Sequence, residues 1–213
     1  MNRPLVITDC DEVLMHMVVP FAEWVDAEHG VIFRMEDASF ANALKRKECG
    51  TPLEAAEVWP LLDGFFRKEM TRQYPIPGAM AAMVAIGAEA DIVVLTNVGP
   101  EHQQARIDQL ALYGFHAPVI GSRGGKGEPV RRLIEEYQPS VALFIDDLAG
   151  HHQSVAKEAP GVWRLHLVGE PAIAAKIAPS SHAHARIDDW KAAQGWILAR
   201  LTENIPAPAA EPV

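Results

Sequence analysis

Cysteine and basic charge are both scarce in this sequence of 213 residues. The two cysteines, Cys10 and Cys49, have a spacing that suits neither a metal site nor a disulfide framework, so we expect a reducing compartment. Nineteen lysines and arginines stand against 28 aspartates and glutamates, which gives a formal net charge of −9. This balance repels polyanions and excludes DNA and RNA as expected partners.

Long apolar runs and internal repeats are missing as well. No stretch approaches the roughly 20 apolar residues that a membrane-spanning helix needs. The first apolar run is short and ends in carboxylates, unlike the apolar region of a secretory signal. We therefore predict a cytoplasmic protein with no membrane partner. The segment 204–213 is rich in proline and alanine, which predicts a disordered tail.

Short apolar runs alternate with helical patterns along most of the chain. The runs are rich in valine and isoleucine, and they cover 4–8, 91–95, 119–120, 141–145 and 162–168. Apolar residues recur at helical spacing in 79–90, 101–113, 129–137 and 189–201. This alternation predicts an α/β fold, in which a five-stranded parallel sheet lies between helices.

One long segment, 15–76, interrupts the alternation. It contains no convincing strand and several helical patterns, so we predict a helical insertion after the first strand. The expected domains are an α/β core made of 1–14 and 77–203, and a small helical domain made of 15–76. The aromatic residues expected in the core of the insertion are Phe21, Trp24, Phe65 and Phe66.

Polar residues follow the predicted strands at their carboxyl ends. In an open parallel sheet, ligands bind beyond these ends, so we expect the polar side chains to converge there. The residues concerned are Asp9, Asp11, Thr96, Asn97, Lys126, Asp146 and Asp147.

The chemistry of this set points to phosphoryl transfer. Crowded carboxylates repel one another, and a hard divalent cation such as Mg²⁺ relieves that repulsion because it prefers oxygen ligands. A lysine and a threonine beside the cation form a place for a phosphoryl group. One aspartate can then attack phosphorus and form an aspartyl phosphate. A second aspartate, two residues further on, can act as general acid and then as general base.

Four motifs in this order resemble the haloacid-dehalogenase-like hydrolase superfamily. They read VITDCDEVL, IVVLTN, GGKGEP and ALFIDD, and their polar residues span Asp9 to Asp147. The resemblance implies a Rossmann-like core with a small helical cap inserted after the first motif. It also implies a phosphatase that depends on Mg²⁺ and acts on a small phosphorylated metabolite.

The resemblance assigns roles to the first motif. Asp9 would be the nucleophile and a metal ligand. Asp11 would be the general acid and base, and its backbone carbonyl would also bind the metal. The presence of Asp11 argues against dehalogenation, because the dehalogenating branch of the superfamily lacks an aspartate there. Glu12 stands where many members have glycine, which predicts an altered turn after the first strand.

The other three motifs receive roles in the same way. Thr96, Asn97 and Lys126 would hold the transferring phosphoryl group. Asp146 would be the acidic metal ligand, and Asp147 would be a further ligand or would support the first. Without the resemblance, these residues would read as a helix cap, a lysine after a flexible Gly-Gly turn, and a solvated turn.

Three functions are compatible with this arrangement. The first is hydrolysis of a small phosphomonoester through an aspartyl-phosphate intermediate. The second is a phosphotransferase or phosphomutase on the same scaffold, since both share that intermediate. The third is a phospho-accepting switch without enzymatic activity, like a response-regulator receiver. The sequence does not name the substrate or the oligomeric state.

Four further polar residues lie close to the motifs. His16 follows the first motif, Arg123 precedes Lys126, and a pair of histidines follows the last motif, at His151 and His152. Their position leaves a direct role open, but lone histidines at such places usually lie at the surface or cap helices. Arg123 lies in the loop before Lys126 and could add positive charge there.

Overall fold

The computed structural model describes residues 2–35 and 40–208, and within them one sheet of six parallel strands dominates. The strands are β1 (Leu5–Thr8), β4 (Asp91–Thr96), β5 (Val119–Gly121), β6 (Ala142–Asp146), β7 (Trp163–His166) and β8 (Ala185–Arg186). Their order across the sheet is β5-β4-β1-β6-β7-β8. The five predicted strands are confirmed, but the predicted number is wrong, because β8 has two residues and no apolar run to reveal it.

Side chains of β1 alternate between the two faces of the sheet. Leu5 and Ile7 belong to a buried cluster on one face, whereas Val6 belongs to a cluster on the other. β1 lies at the centre of the sheet, between β4 and β6, and each of its faces packs against one of these clusters. A strand buried on both faces appears in the sequence as a continuous apolar run, which is the pattern that predicts β1.

Helices cover both faces. In the core they are α3 (Ala79–Glu89), α4 (Gln103–Ala111), α5 (Gly127–Tyr137), α6 (Ala149–Glu158), α7 (Pro171–Ala174) and α8 (Trp190–Glu203). Residues of α3 and α8 share one buried cluster with Val6, and residues of α5 and α6 share the other with Leu5 and Ile7. The predicted layered α/β architecture is confirmed.

The insertion after β1 is not purely helical. It holds α1 (Val18–His29) and α2 (Ala55–Glu69), and it also holds an antiparallel pair of strands, β2 (Val31–Phe33) and β3 (Leu44–Arg46). The expectation that this segment lacks strands is therefore wrong. Each strand has three residues, and β3 reads Leu-Lys-Arg, so neither gives the alternating apolar pattern by which a half-buried strand is recognised.

The insertion contributes most of the residues of a third buried apolar cluster. The four aromatic residues predicted for it, Phe21, Trp24, Phe65 and Phe66, are all buried, which confirms that prediction. The same cluster includes Val98, Val168 and Ile173 from the α/β part of the chain. The insertion therefore packs directly against loops at the carboxyl ends of the strands.

The beginning of the predicted tail contacts the rest of the chain. α8 ends at Glu203, and the following Asn204 has a left-handed backbone conformation. Trp163 Nε1 donates a hydrogen bond to the carbonyl of Ile205, and the amide of Ala207 donates one to Gly161. Residues 209–213 of the predicted tail lie outside the described part of the chain. Among the residues that are described, no helix has both the length and the apolar character to cross a bilayer.

Candidate active site

Three adjacent strands deliver polar side chains to one edge of the sheet. β4 and β6 flank β1, and Thr8 at the end of β1 is in register with Val94 and Ile145. Asp9 follows β1 directly, and its amide donates a hydrogen bond to the carbonyl of Ile145. Thr96 and Asp146 are the last residues of β4 and β6, and both are fully buried.

Lys126 connects the first and last motifs. Its Nζ lies 2.8 Å from Asp9 Oδ1 and 2.7 Å from Asp146 Oδ2, and the side chain is fully buried. Burial alone would lower the pKa of this ammonium, but the two carboxylates outweigh burial and raise the pKa. Lys126 is therefore a fixed positive charge between the two aspartates.

A close approach between two helices holds Lys126 in place. Gly127 begins α5, and its amide donates a hydrogen bond to Ser154 Oγ of α6. A Cβ atom at Gly127 would lie 2.3 Å from the carbonyl oxygen of Ser154, so no larger residue fits. The glycine lets α5 start against α6, and this contact directs the preceding Lys126 towards Asp9.

Three carboxylates lie together beside this lysine. One oxygen each of Asp9, Asp146 and Asp147 lies within 4.8 Å of the other two. Burial raises the pKa of Asp9 to about 6 despite Lys126, and burial with the charges of Asp146 and Asp9 raises the pKa of Asp147 well above its usual value. For Asp146, burial also acts upward, but Lys126 and a hydrogen bond from His151 keep its pKa well below the usual range.

The donors in this cluster fit a hard divalent cation. Three carboxylates and one ammonium leave two negative charges when all four groups are ionised. Asp9 Oδ1 is buried and, among the described residues, receives no hydrogen bond with good geometry. All the acidic donors are oxygen atoms, which Mg²⁺ prefers, so the residues match the predicted metal.

Asp11 lies at the border of this cluster and is held from several sides. Arg106 Nη2 donates to both of its oxygens, at 2.8 and 2.9 Å, and Gln73 Nε2 donates to Oδ1 at 2.6 Å. Thr96 Oγ1 lies 3.5 Å from Oδ2. The side chain of Asp11 keeps 16% of its surface exposed, so solvent reaches a group that Arg106 otherwise fixes.

Asn97 belongs to a second polar layer next to Asp146. Its Nδ2 donates to the carbonyl of Gly124 at 3.0 Å and lies 3.3 Å from His151 Nε2. Ser122 Oγ donates to Asn97 Oδ1. On the other side of the imidazole, His151 Nδ1 donates to Asp146 Oδ1 at 2.9 Å. Asp9 and Asp146 are thus joined through Lys126, and Asn97 reaches Asp146 through His151. Thr96 lies beside Asp11, and Asp147 lies within 4.8 Å of Asp9 and Asp146.

Comparisons with known proteins agree with this geometry at the level of the fold. No protein-family model and no curated protein matches the sequence. Among solved structures, 86 chains match. A haloacid dehalogenase-like hydrolase from Streptococcus pneumoniae is 12% identical, with a TM-score of 0.64 over 91% of this chain and 97% of its own. A Haemophilus somnus protein named as a predicted phosphoglycolate phosphatase is 15% identical, with a TM-score of 0.65 over the same shares, 91% and 97%.

A Thermotoga maritima protein, whose proposed name is β-phosphoglucomutase, is 15% identical, with a TM-score of 0.61 over 94% of this chain and 99% of its own. These likenesses extend over the core and the insertion, since they cover nearly the whole of each chain. The chain has the haloacid-dehalogenase-like fold. At identities this low, the likeness shows the fold alone, and the roles of the site residues remain proposals.

The two histidines after the last motif are buried and contact Asp146, which the sequence does not predict. His151 and His152 are buried, so the expectation of surface or helix-capping positions is wrong for both. His151 contacts the Asp146 carboxylate, and His152 Nε2 donates to the Asp146 carbonyl at 3.0 Å. His166 Nε2 donates in the same way to the carbonyl of Asp147. These three imidazoles fix the turn that carries the last motif.

His16 and Arg123 have different positions. His16 is buried as well. Its Nδ1 lies 3.2 Å from Glu170 Oε2, and its ring packs against Tyr74. Burial lowers the pKa of His16, although Glu170 acts in the opposite direction. Arg123 is largely exposed, and its charge is paired with Glu101.

Glu12 replaces the glycine often found after the first motif of the haloacid-dehalogenase-like fold, and it adopts a conformation that glycine favours. Its φ angle is 58°, in the left-handed region, where a side chain is strained. Its Oε1 accepts hydrogen bonds from the amides of Met17 and Val18, at 2.8 and 2.7 Å. Glu12 thus satisfies free amides at the start of α1 and ties the first motif to the insertion.

Replacing Glu12 with glutamine tests the cost of burying this carboxylate. Burial raises the pKa of Glu12 to about 7 from 4.5, against the two amide hydrogen bonds, and the nearby Asp11 and Glu170 add to the rise. A raised carboxyl pKa stabilises the fold fully below 4.5, and this contribution is lost as pH rises through 7. We expect the free energy of unfolding of the native protein to fall by about 3 kcal/mol more between pH 4.5 and 8 than that of Glu12→Gln.

The measurement is urea unfolding in EDTA, where the carboxylates carry no metal. Glu28→Gln is the matched control, because Glu28 is an exposed glutamate on α1, the helix whose first amides Glu12 binds, and it should keep the native pH dependence. Identical pH dependence for the native protein and Glu12→Gln would contradict the interpretation of Glu12 as a buried, strained carboxylate.

Proposed function

We propose that the protein is a Mg²⁺-dependent phosphatase of small phosphomonoesters. The observation that supports it most directly is the placement of Lys126 between Asp9 and Asp146, with Asp147 beside them. This arrangement joins a nucleophile, a fixed positive charge and a cation site at the carboxyl ends of neighbouring strands. It has the features that transfer of a phosphoryl group requires.

In this proposal, Asp9 and Asp146, with the backbone carbonyl of Asp11, hold the cation, and Asp147 is a further ligand or supports Asp146. The bound cation would neutralise charge on the phosphoryl oxygens. Thr96 and Lys126 bind the phosphoryl group, and Asn97 lies at the edge of the same pocket. The buried position of these groups excludes water from the reacting atoms, which strengthens each electrostatic contact.

The reaction divides into two displacements. An oxygen of Asp9 attacks phosphorus, the bond from phosphorus to the ester oxygen breaks, and Asp11 gives its proton to the departing alcohol. A water molecule then attacks the aspartyl phosphate, its proton passes to Asp11, and the bond from phosphorus to Asp9 breaks. Both aspartates return to their starting states, and inorganic phosphate is released.

The insertion 15–76 would serve as the cap of this active site, over a core made of 1–14 and 77–203. Contacts between the insertion and the core support this role as a cap. His102 Nε2, which follows the second motif, lies 2.9 Å from Asp63 Oδ1 of α2. Gln73, near the end of the insertion, reaches Asp11 directly. A cap with these contacts selects substrate by what it allows to approach Asp9.

A screen of phosphorylated metabolites, with and without Mg²⁺, tests the proposed function. We expect at least one phosphomonoester to release inorganic phosphate, with a rate that falls at least about 100-fold in EDTA and recovers when Mg²⁺ is added. Ca²⁺ is a suitable control cation, since it binds oxygen ligands with a different geometry. Turnover that does not depend on a divalent cation would contradict the proposal.

Transfer to another acceptor is the second candidate. The fold is shared with proteins whose proposed names include β-phosphoglucomutase, and such a transfer would use the same aspartyl phosphate. Product analysis with a sugar phosphate separates the two, because a mutase returns a sugar phosphate isomer instead of inorganic phosphate. A phosphorylated protein that persists for many minutes without turnover would favour a switch.

A further inference from the structure

Arg106 is a fully buried arginine whose charge is compensated at the active site. The guanidinium extends from α4 and forms its ion pair with Asp11, the residue proposed as general acid and base. A buried charge without a partner is strongly destabilising, so Arg106 and Asp11 depend on one another. The sequence does not predict a role for Arg106, because this residue lies on a helix whose pattern indicates a polar, exposed stretch.

Two glutamines orient this arginine. Arg106 Nη1 donates to Gln73 Oε1 at 3.0 Å and to Gln109 Oε1 at 2.7 Å, and both glutamines are buried. Gln73 then uses its own Nε2 to donate to Asp11 Oδ1. The amide therefore has one orientation, with its oxygen towards Arg106 and its nitrogen towards Asp11. These hydrogen bonds restrict the guanidinium and both glutamines, although Arg106 Nε has no hydrogen-bond partner among the described residues.

The donors are distributed unevenly over the two oxygens of Asp11. Oδ1 receives two close hydrogen bonds, from Arg106 at 2.8 Å and from Gln73 at 2.6 Å. Oδ2 receives one close hydrogen bond, from Arg106 at 2.9 Å, and its next neighbour is Thr96 Oγ1 at 3.5 Å. Oδ2 is therefore the oxygen with free capacity, and it lies on the side of the residue proposed to bind the phosphoryl group.

The insertion contributes directly to this network. Gln73 follows the short 3₁₀ turn Met70–Arg72 at the end of the insertion, and the ring of Phe66 on α2 lies 5.7 Å from the Arg106 guanidinium. Any displacement of the insertion would move both groups relative to Asp11. The orientation of the general acid is thus linked to the position of the proposed cap.

We propose that Arg106 and Gln73 are positioning residues that hold Asp11 Oδ1 and leave Oδ2 as the oxygen that transfers the proton. This inference rests on the proposed phosphatase function. In the first displacement, Oδ2 gives its proton to the ester oxygen as the phosphorus–oxygen bond breaks. In the second, Oδ2 takes a proton from the attacking water. Neither positioning residue touches the substrate, and both act through Asp11.

Dependence on the leaving group tests this role in the variant Arg106→Met. An alkyl phosphate needs a proton on its departing alcohol, whereas nitrophenyl phosphate releases a stable phenolate without one. We expect kcat/KM for the alkyl phosphate to fall about 100-fold and kcat/KM for nitrophenyl phosphate to change by less than about threefold, because kcat/KM reports the first displacement and not the shared hydrolysis of the aspartyl phosphate. General damage to the fold would lower both rates alike, and that result would overturn the inference.

Three further variants make the test specific. Arg164→Met is the matched control, since Arg164 is also buried but donates to backbone carbonyls distant from the motifs, and it should keep the native ratio of the two rates. In an Asp11→Asn background, Arg106→Met should cause no further loss with the alkyl phosphate, whereas additive losses would contradict a role through Asp11.

If Arg106→Met does not fold, Gln73→Leu gives the same test, because it removes one donor to Oδ1 and keeps the ion pair. It should lower the rate with the alkyl phosphate selectively, and a loss that is equal for both substrates would overturn the inference. Failure of the native protein to hydrolyse either substrate would contradict the proposed function itself, which distinguishes the two failures.

Discussion

Asp9→Asn is expected to lower phosphatase turnover at least about 10⁴-fold, to the limit of detection. The amide cannot attack phosphorus, and it removes one of the three carboxylates that lie within 4.8 Å of one another. The volume of the side chain is nearly unchanged, so the fold around Lys126 keeps its shape. Steady-state release of phosphate from the best substrate of the metabolite screen is the measurement.

The matched control for this variant is Asp91→Asn. Asp91 begins β4, at the opposite edge of the same sheet, and its partner is the half-exposed Arg3. This substitution should leave the rate within about twofold of native, because exposed ion pairs contribute little. Native turnover in Asp9→Asn would exclude Asp9 as the nucleophile. Mass spectrometry of the native protein with substrate should detect one added phosphoryl group.

Lys126→Met is expected to have the largest effect on stability. Methionine fills a similar volume, but it leaves the buried Asp9 and Asp146 without the ammonium that lies 2.8 and 2.7 Å from them. Removing one partner of a buried ion pair costs about 3–5 kcal/mol, because the remaining charge is buried and unpaired. Urea unfolding at pH 7 in EDTA measures the loss without compensation by a bound cation.

Lys157→Met is the control for this experiment. Lys157 lies on α6, its side chain is 82% exposed, and its partner is the neighbouring Glu158. We expect its free energy of unfolding to stay within about 0.5 kcal/mol of native. A loss of less than about 1 kcal/mol in Lys126→Met would show that the two aspartates do not depend on this lysine, and would remove the central argument for the site.

Much of the fold follows from local patterns in the sequence. The five predicted apolar runs became strands, because burial on both faces of a parallel sheet requires consecutive apolar residues. The two-residue strand β8 and the hairpin of β2 and β3 escaped, since strands this short satisfy backbone groups without a detectable pattern. Their pairing depends on neighbours that only the complete fold supplies.

The same difference between local patterns and distant contacts separates the site residues that the sequence predicts from those it does not. Asp9, Thr96 and Asp146 could be predicted, because each ends or follows an apolar strand and the ends of neighbouring strands meet. Arg106 and Gln73 could not, because their contacts with Asp11 join residues 95 and 62 positions apart in the chain. Nothing near Arg106 in the sequence distinguishes a buried guanidinium from an exposed one on a polar helix.

The central position of β1 has a consequence for synthesis on the ribosome. Asp9 is made before both neighbours of its strand, because β4 and β6 come later in the chain. Contacts this distant in sequence form slowly, and they cannot form before the last partner exists. A chain interrupted before residues 142–146 would therefore expose an unpaired apolar strand and lack Asp146, so it could not assemble the proposed site.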